Sequence, residues 1–128
     1  MEASEWVSDV VVVGAGNAAL TAALAAAEAG AQVLVLEKAS AEERGGNSRY
    51  TGGIVRFVYG GLDDIVPLVP DLSDEQIARL DVQPYSAQAY TEDIMRMSEG
   101  KADPELTRVL VDNSYSTLRW MQTLGGAV

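Results

Sequence analysis

The chain has 128 residues, 48 % hydrophobic and 22 % charged, with a net charge of −10 from nine Lys and Arg against nineteen Asp and Glu. That size and balance suit one globular domain with a real core, and the acidity argues against nucleic-acid binding, which needs basic residues at the phosphates, and against an anionic membrane surface. With neither Cys nor His, disulfides, thiolate or imidazole metal sites, cysteine nucleophiles and Ser-His-Asp triads are excluded within this chain.

In chain order, residues 8–13 (SDVVVV) predict a buried strand, a β-branched run without alternation of the kind parallel strands need. A glycine turn follows, then Ala and Leu from Asn17 to Ala29 predict a helix capped by Gly30. Residues 31–37 (AQVLVLE) predict a second strand, which completes a βαβ unit with a right-handed crossover. Val10 to Ala27 carries no charge. Its alanine richness, its glycine interruption and the acidic residues before it argue against a membrane span or signal peptide.

Residues 39–61 read as irregular and glycine-rich, and the two prolines of LDDIVPLVPDL predict a surface wrap. Ser73 with Gln76 forms a capping signal for a short helix to about Leu80. A helix over roughly 86–98 ends at Gly100, and Asp103-Pro104 starts another that runs to about Leu124. Leu106, Leu110, Leu118, Met121 and Leu124 are its expected inner face, with Trp120 also packing. The fold class is therefore α/β: a parallel βαβ unit over 1–61, then a mainly helical continuation over 62–128. Two parallel strands make a poor sheet, so the domain reads as incomplete, truncated at its C-terminus.

Gly14-Ala15-Gly16-Asn17-Ala18-Ala19 carries the G-x-G-x-x-(G/A) spacing between strand and helix. Gly14 permits the tight turn, Gly16 lets a pyrophosphate approach the backbone, and Ala19 allows close packing of helix on strand. The helix then aims free N–H groups and its positive dipole end at the phosphates. Glu37 ends the second strand 23 positions after Gly14, where an acid accepts ribose hydroxyls and disfavours a 2′-phosphate. Together these parts point to a dinucleotide. Residues 44–53 (RGGNSRYTGG) supply a second small-residue loop. Its Asn47, Ser48 and Thr51 can bond phosphate or ribityl oxygens. A longer cofactor needs such a second contact region.

The stretches DVVVVGAGNAALTAALAAAEAGAQVLVLEKA and RGGNSRYTGG resemble the N-terminal part of the Rossmann-like FAD-binding domain of the fumarate reductase/succinate dehydrogenase flavoprotein superfamily. They are most similar to its soluble FAD-dependent tricarballylate dehydrogenases. The specific motifs cover residues 9–61. The resemblance implies FAD held noncovalently, because the family's covalent members use a His that this chain lacks. It places Gly14, Ala15, Gly16, Asn17, Ala18 and Ala19 at the pyrophosphate, and Glu37 at the adenosine ribose with Lys38 beside it. Gly45, Gly46, Asn47 and Ser48 would meet the pyrophosphate and ribityl chain, and Thr51, Gly52 and Gly53 would approach the isoalloxazine. The implied activity is oxidation or reduction of a CH–CH bond of a small polycarboxylate such as tricarballylate or fumarate/succinate. Catalytic residues are expected outside this chain. An anionic substrate and an electron-acceptor protein or quinone-linked partner follow from the same likeness, while the absence of Cys fits a reducing cytoplasm.

The alternatives are an NAD-dependent Rossmann dehydrogenase and a noncatalytic nucleotide-binding fragment. Arg44 and Arg49 read equally well as phosphate partners or solvated residues, and Arg56 as solvated. Tyr50, Phe57 and Tyr59 read as packing residues rather than a flavin shield. The aspartates at 63–64 and 71–74 read as turns and caps, with no metal site.

Overall fold

A computed structural model describes residues 7–125. The chain divides into two compact units, 1–54 and 55–128.

In the first unit, strand β1 (Val10–Val13) leads through a glycine turn into helix α1 (Asn17–Glu28) and returns as strand β2 (Val33–Leu36). The strands pair in parallel, Val10 against Val33 through Val13 against Leu36. Gln32 locks the register at the strand entrance. Its carbonyl accepts from the Asp9 and Val10 amides, and its own amide donates to the Asp9 carboxylate at 2.8 Å. The expected strands and helix thus form, but β1 is not buried on both faces. Val10 and Val12 are half-buried, whereas Val11 is 53 % and Val13 82 % exposed. A single helix covers a single face of a two-stranded sheet, so among the described residues the alternate valines stay open. Past β2, a short 3₁₀ helix (Gly46–Tyr50) interrupts the loop that was expected to be irregular.

The second unit is helical. Within the stretch expected to wrap the surface, residues 62–68 form a turn of helix α2 (Leu62–Ile65) and a 3₁₀ turn (Val66–Leu68). Helix α3 (Asp74–Ile77) carries the expected capping box between Ser73 and Gln76. Helix α4 (Ala87–Met97) is capped by Ser86, and helix α5 (Pro104–Thr123) by Asp103, whose carboxylate accepts from the Glu105 and Leu106 amides.

Of the expected inner face of α5, Leu118 is buried, whereas Leu106, Leu110, Met121 and Leu124 are exposed, Leu106 and Leu110 by 69 % and 54 %. The buried stripe is Thr107, Val111, Ser114 and Leu118. Small hydroxyl residues fit that stripe because a hydroxyl can bond its own helix. Ser114 Oγ donates to the Val111 carbonyl at 2.8 Å and accepts from the Val58 amide at 3.0 Å. Tyr90 and Leu68 complete this core, and Arg119 and Gln122 both donate to the Pro67 carbonyl.

Phe57, Tyr59, Tyr85, Tyr90 and Tyr115 form a chain of ring contacts with centroids 5.4–6.2 Å apart, so Phe57 and Tyr59 are packing residues as expected. Arg56 is exposed, as its solvated reading expects, and is paired as well. Its guanidinium binds Asp93 at 2.7 Å and the Tyr85 hydroxyl at 3.2 Å. No helix among the described residues is long and apolar enough to cross a membrane.

Candidate functional site

The site grows from the turn that joins β1 to α1. Gly14 sits at φ +110°, a backbone that residues with a Cβ rarely adopt. Its amide donates to the Leu36 carbonyl at 2.6 Å, which ties the turn to the end of β2. Beyond Leu36 comes Glu37, whose carboxylate accepts the Ala15 amide on one oxygen and the Ala39 amide on the other, both at 2.8 Å. The Ala39 amide is the largest influence holding this carboxyl below the usual glutamate range. The Ala15 and Lys38 amides and the Lys38 charge act in the same sense, while desolvation opposes them. Glu37 is therefore ionised at neutral pH, and each oxygen keeps a second lone pair for another donor.

Gly16 is the N-cap of α1 and brings no side chain to cap it. The Asn17 amide instead donates to Ser48 Oγ at 3.0 Å, from 31 residues away. The amides of Gly16, Ala18 and Ala19 have no partner among the described residues. Such N–H groups at a helix start form a ready anion site.

Two open clefts flank the turn. One, of about 650 Å³, is lined by Ala15, Asn17, Leu20, Val35, Glu37, Arg44, Gly45, Ser48 and Arg49. The other, of about 330 Å³, is lined by Val13, Gly14, Ala15, Gly16, Leu36, Glu37, Lys38 and Gly46. Ala15 and Glu37 belong to both, so an elongated ligand can straddle the turn. The larger cleft places an acid at one wall and Arg44 and Arg49 at another. Arg49 donates to the Glu42 carbonyl, whereas the Arg44 guanidinium has no partner among the described residues.

The structure thus brings together Gly14, Ala15, Gly16, Asn17, Glu37, Lys38, Arg44, Gly45, Gly46 and Ser48. Ala19 lies beneath the turn, its Cβ 3.8 Å from where a Gly14 side chain would begin. Ala18 contributes its amide. Asn47, Thr51, Gly52 and Gly53 are exposed and line neither of these clefts. Thr51 instead donates its hydroxyl to the Ser48 carbonyl at 3.1 Å. Leu20 and Val35 were not expected in the site, yet both line the larger cleft. The signal was present as spacing: Leu20 lies one helical turn past Gly16, and Val35 two strand positions before Glu37.

Residues 9–127 match the family described as FAD binding domain. The chain belongs to this family. Its relatives include a fumarate reductase (cytochrome) of Shewanella frigidimarina, 31 % identical over 91 % of this chain and 18 % of the relative. A urocanate reductase of Eggerthella lenta is 33 % identical over 92 % of this chain and 17 % of its own length. A vinyl phenol reductase of Lactiplantibacillus plantarum is 32 % identical over 91 % and 20 % respectively. The chain therefore spans about a fifth or less of the length of these relatives, and the match of an FAD-binding family names the cofactor for which the two clefts are to be judged.

The residues present fit that cofactor. Unpartnered amides and an unpartnered arginine suit a pyrophosphate, and an ionised glutamate with open lone pairs suits ribose hydroxyls.

Proposed function

We propose that this FAD-binding domain serves an oxidoreductase acting on a CH–CH bond of a small carboxylate, with FAD held noncovalently. The observation that carries the cofactor placement is the pair of clefts meeting at Ala15 and Glu37. In this reading the amides of Gly16, Ala18 and Ala19 and the Arg44 guanidinium hold the pyrophosphate. Glu37 accepts from the adenosine ribose, with Lys38 beside it. Gly45, Gly46, Asn47 and Ser48 meet the pyrophosphate and ribityl chain, and Thr51, Gly52 and Gly53 lie toward the flavin ring. FAD, when bound, supplies hydride transfer, and this chain's residues bind and orient it.

The carboxylate reading is supported by the names of two of the three relatives, since fumarate and urocanate are carboxylates. Tricarballylate is the finer choice within that class, drawn from the resemblance of residues 9–61. A separate electron acceptor and a cytoplasmic setting belong to the same proposal, the latter supported by the lack of cysteine.

The visible spectrum of the purified full chain, before and after acid release of cofactor, tests the first part. Flavin absorbance that leaves intact with the supernatant supports noncovalent FAD. A folded protein that takes up no added FAD overturns the cofactor placement. Because the catalytic residues are expected outside this chain, the substrate class is tested in a protein that includes them, by anaerobic bleaching of the bound flavin with tricarballylate or succinate, or reoxidation of reduced flavin by fumarate.

A further inference from the structure

We propose that Ser48 is a positioning residue: its hydroxyl caps helix α1 from outside and so clasps the second glycine loop to the phosphate turn before any cofactor binds. This rests on the FAD reading for its consequence but not for its geometry. Helix α1 starts at a glycine N-cap that offers no side-chain acceptor, although helix starts need one. The acceptor arrives from the 3₁₀ turn of the second loop, as Ser48 Oγ on the Asn17 amide at 3.0 Å.

The absence of a side chain at residue 16 favours this close approach. A Cβ there would stand 3.3 Å from the Gly45 carbonyl oxygen and 3.4 Å from Ser48 Oγ. Ser48 is itself held by its loop: its amide donates to the Gly45 carbonyl at 3.1 Å, and its carbonyl accepts the Thr51 hydroxyl. Glu37 fixes the neighbouring Ala15 amide. Three successive turn residues, 15, 16 and 17, are thus each met by a group from β2's end or the second loop. While Ser48 Oγ accepts from Asn17, its own proton stays free to donate into the larger cleft that it lines. A loop already docked loses less freedom when ligand binds, and that favours affinity.

The bond can be removed from either end. Ser48→Ala removes the acceptor and Ser48→Thr retains a hydroxyl. Asn17→Pro removes the donor at the first helical position, where proline is tolerated. The extended Gly16 (φ −80°, ψ 175°) suits a residue before proline. Asn17→Ala keeps the amide and serves as the reference for Asn17→Pro.

Two readouts are taken on the full chain: amide hydrogen exchange over residues 45–50 without ligand, with α5 amides as the internal folding control, and FAD affinity by flavin fluorescence. Loss of one such hydrogen bond should speed loop exchange and weaken FAD by about fivefold, with Ser48→Thr close to wild type. Combining Ser48→Ala with Asn17→Pro should add little to either change alone, because both remove the same bond. Loop exchange unchanged in Ser48→Ala and Asn17→Pro overturns the clasp, as do losses that multiply in the double variant. Should Asn17→Pro fail to fold, Ser48→Ala against Ser48→Thr decides alone. If the parent protein binds no FAD but the exchange effects remain coupled, the clasp stands and the cofactor reading falls by itself.

Discussion

The Glu37 carboxylate accepts the Ala15 amide at 2.8 Å across 22 residues of sequence, so the acid at the end of β2 is also a strut for the phosphate turn. Ribose recognition and turn geometry then depend on one side chain. Glu37→Gln replaces one acceptor oxygen by an NH₂ group facing an N–H donor. The turn loses either its Ala15 or its Ala39 contact, and the ribose loses a charged acceptor. FAD affinity should fall by about tenfold, as expected for a charge-assisted hydrogen bond. Titration by flavin fluorescence checks this. Affinity within twofold of the parent would mean that Glu37 is a solvated strand end.

Gly16 and Gly52 separate a glycine required by contact from one that is not. A methyl group at 16 meets a backbone carbonyl at 3.3 Å, while nothing lies within 4 Å of one at 52. Gly16→Ala should therefore displace the second loop and weaken FAD by about tenfold or more, on the scale of an overpacked contact of 1–3 kcal/mol. Gly52→Ala, which meets nothing within 4 Å in the chain itself, should leave amide exchange over residues 45–50 without ligand unchanged, whereas Gly16→Ala should speed it. Equal effects of the two substitutions on that exchange would refute the close approach.

Much of this was legible because the relevant interactions are local. The β1 and β2 runs, the glycine spacing and the Ser73 and Asp103 caps declare themselves within a few residues, since a strand run, a turn or a cap is decided by its neighbours. What stayed hidden depends on distant partners. Nothing near Ser48 says that it caps a helix 31 residues earlier. Nothing near Arg56 announces Asp93. On the inner face of α5 the leucine pattern points correctly to Leu118 but not to Thr107, Val111 and Ser114, because residue type alone does not give position around the helix. Thr107 and Ser114 satisfy their place with small volume, and Ser114 with internal hydrogen bonds as well. The sheet's open valines were misjudged for a related reason: a β-branched run gives strand propensity, not the number of layers that cover it.

The reassigned face of α5 predicts an asymmetry among its leucines. Leu118 is 4 % exposed, within the core of the helical unit. Leu118→Ala should cost about 2–5 kcal/mol in urea unfolding, the usual range for a buried leucine. Leu106→Ala and Leu110→Ala should fall within about 0.5 kcal/mol of the parent, as surface changes do. Comparable losses at Leu106 and Leu118 would restore the leucine face read from the sequence.

Asp93 governs the acid end of the helical unit's stability. The Arg96 guanidinium at 2.6 Å and the Tyr85 hydroxyl at 2.7 Å hold its carboxyl below the usual aspartate range, aided by the charges of Arg96 and Arg56 and opposed by partial burial. In the unfolded chain those partners are gone, and the carboxyl titrates near its reference value of about 3.9. As pH falls, the unfolded state therefore takes up the proton first. The contribution of Asp93 is fully present above about pH 5 and drains away as pH drops through the depressed native value. Asp93→Asn removes that titration, leaving Arg56 and Arg96 with a neutral partner at every pH. Its urea midpoint should lie below the parent's at pH 6–7, and the two curves should converge toward pH 3. Midpoints that differ by the same amount from pH 7 to pH 3 would show that the native pKa of Asp93 is not depressed, and that the loss on substitution comes from packing rather than charge.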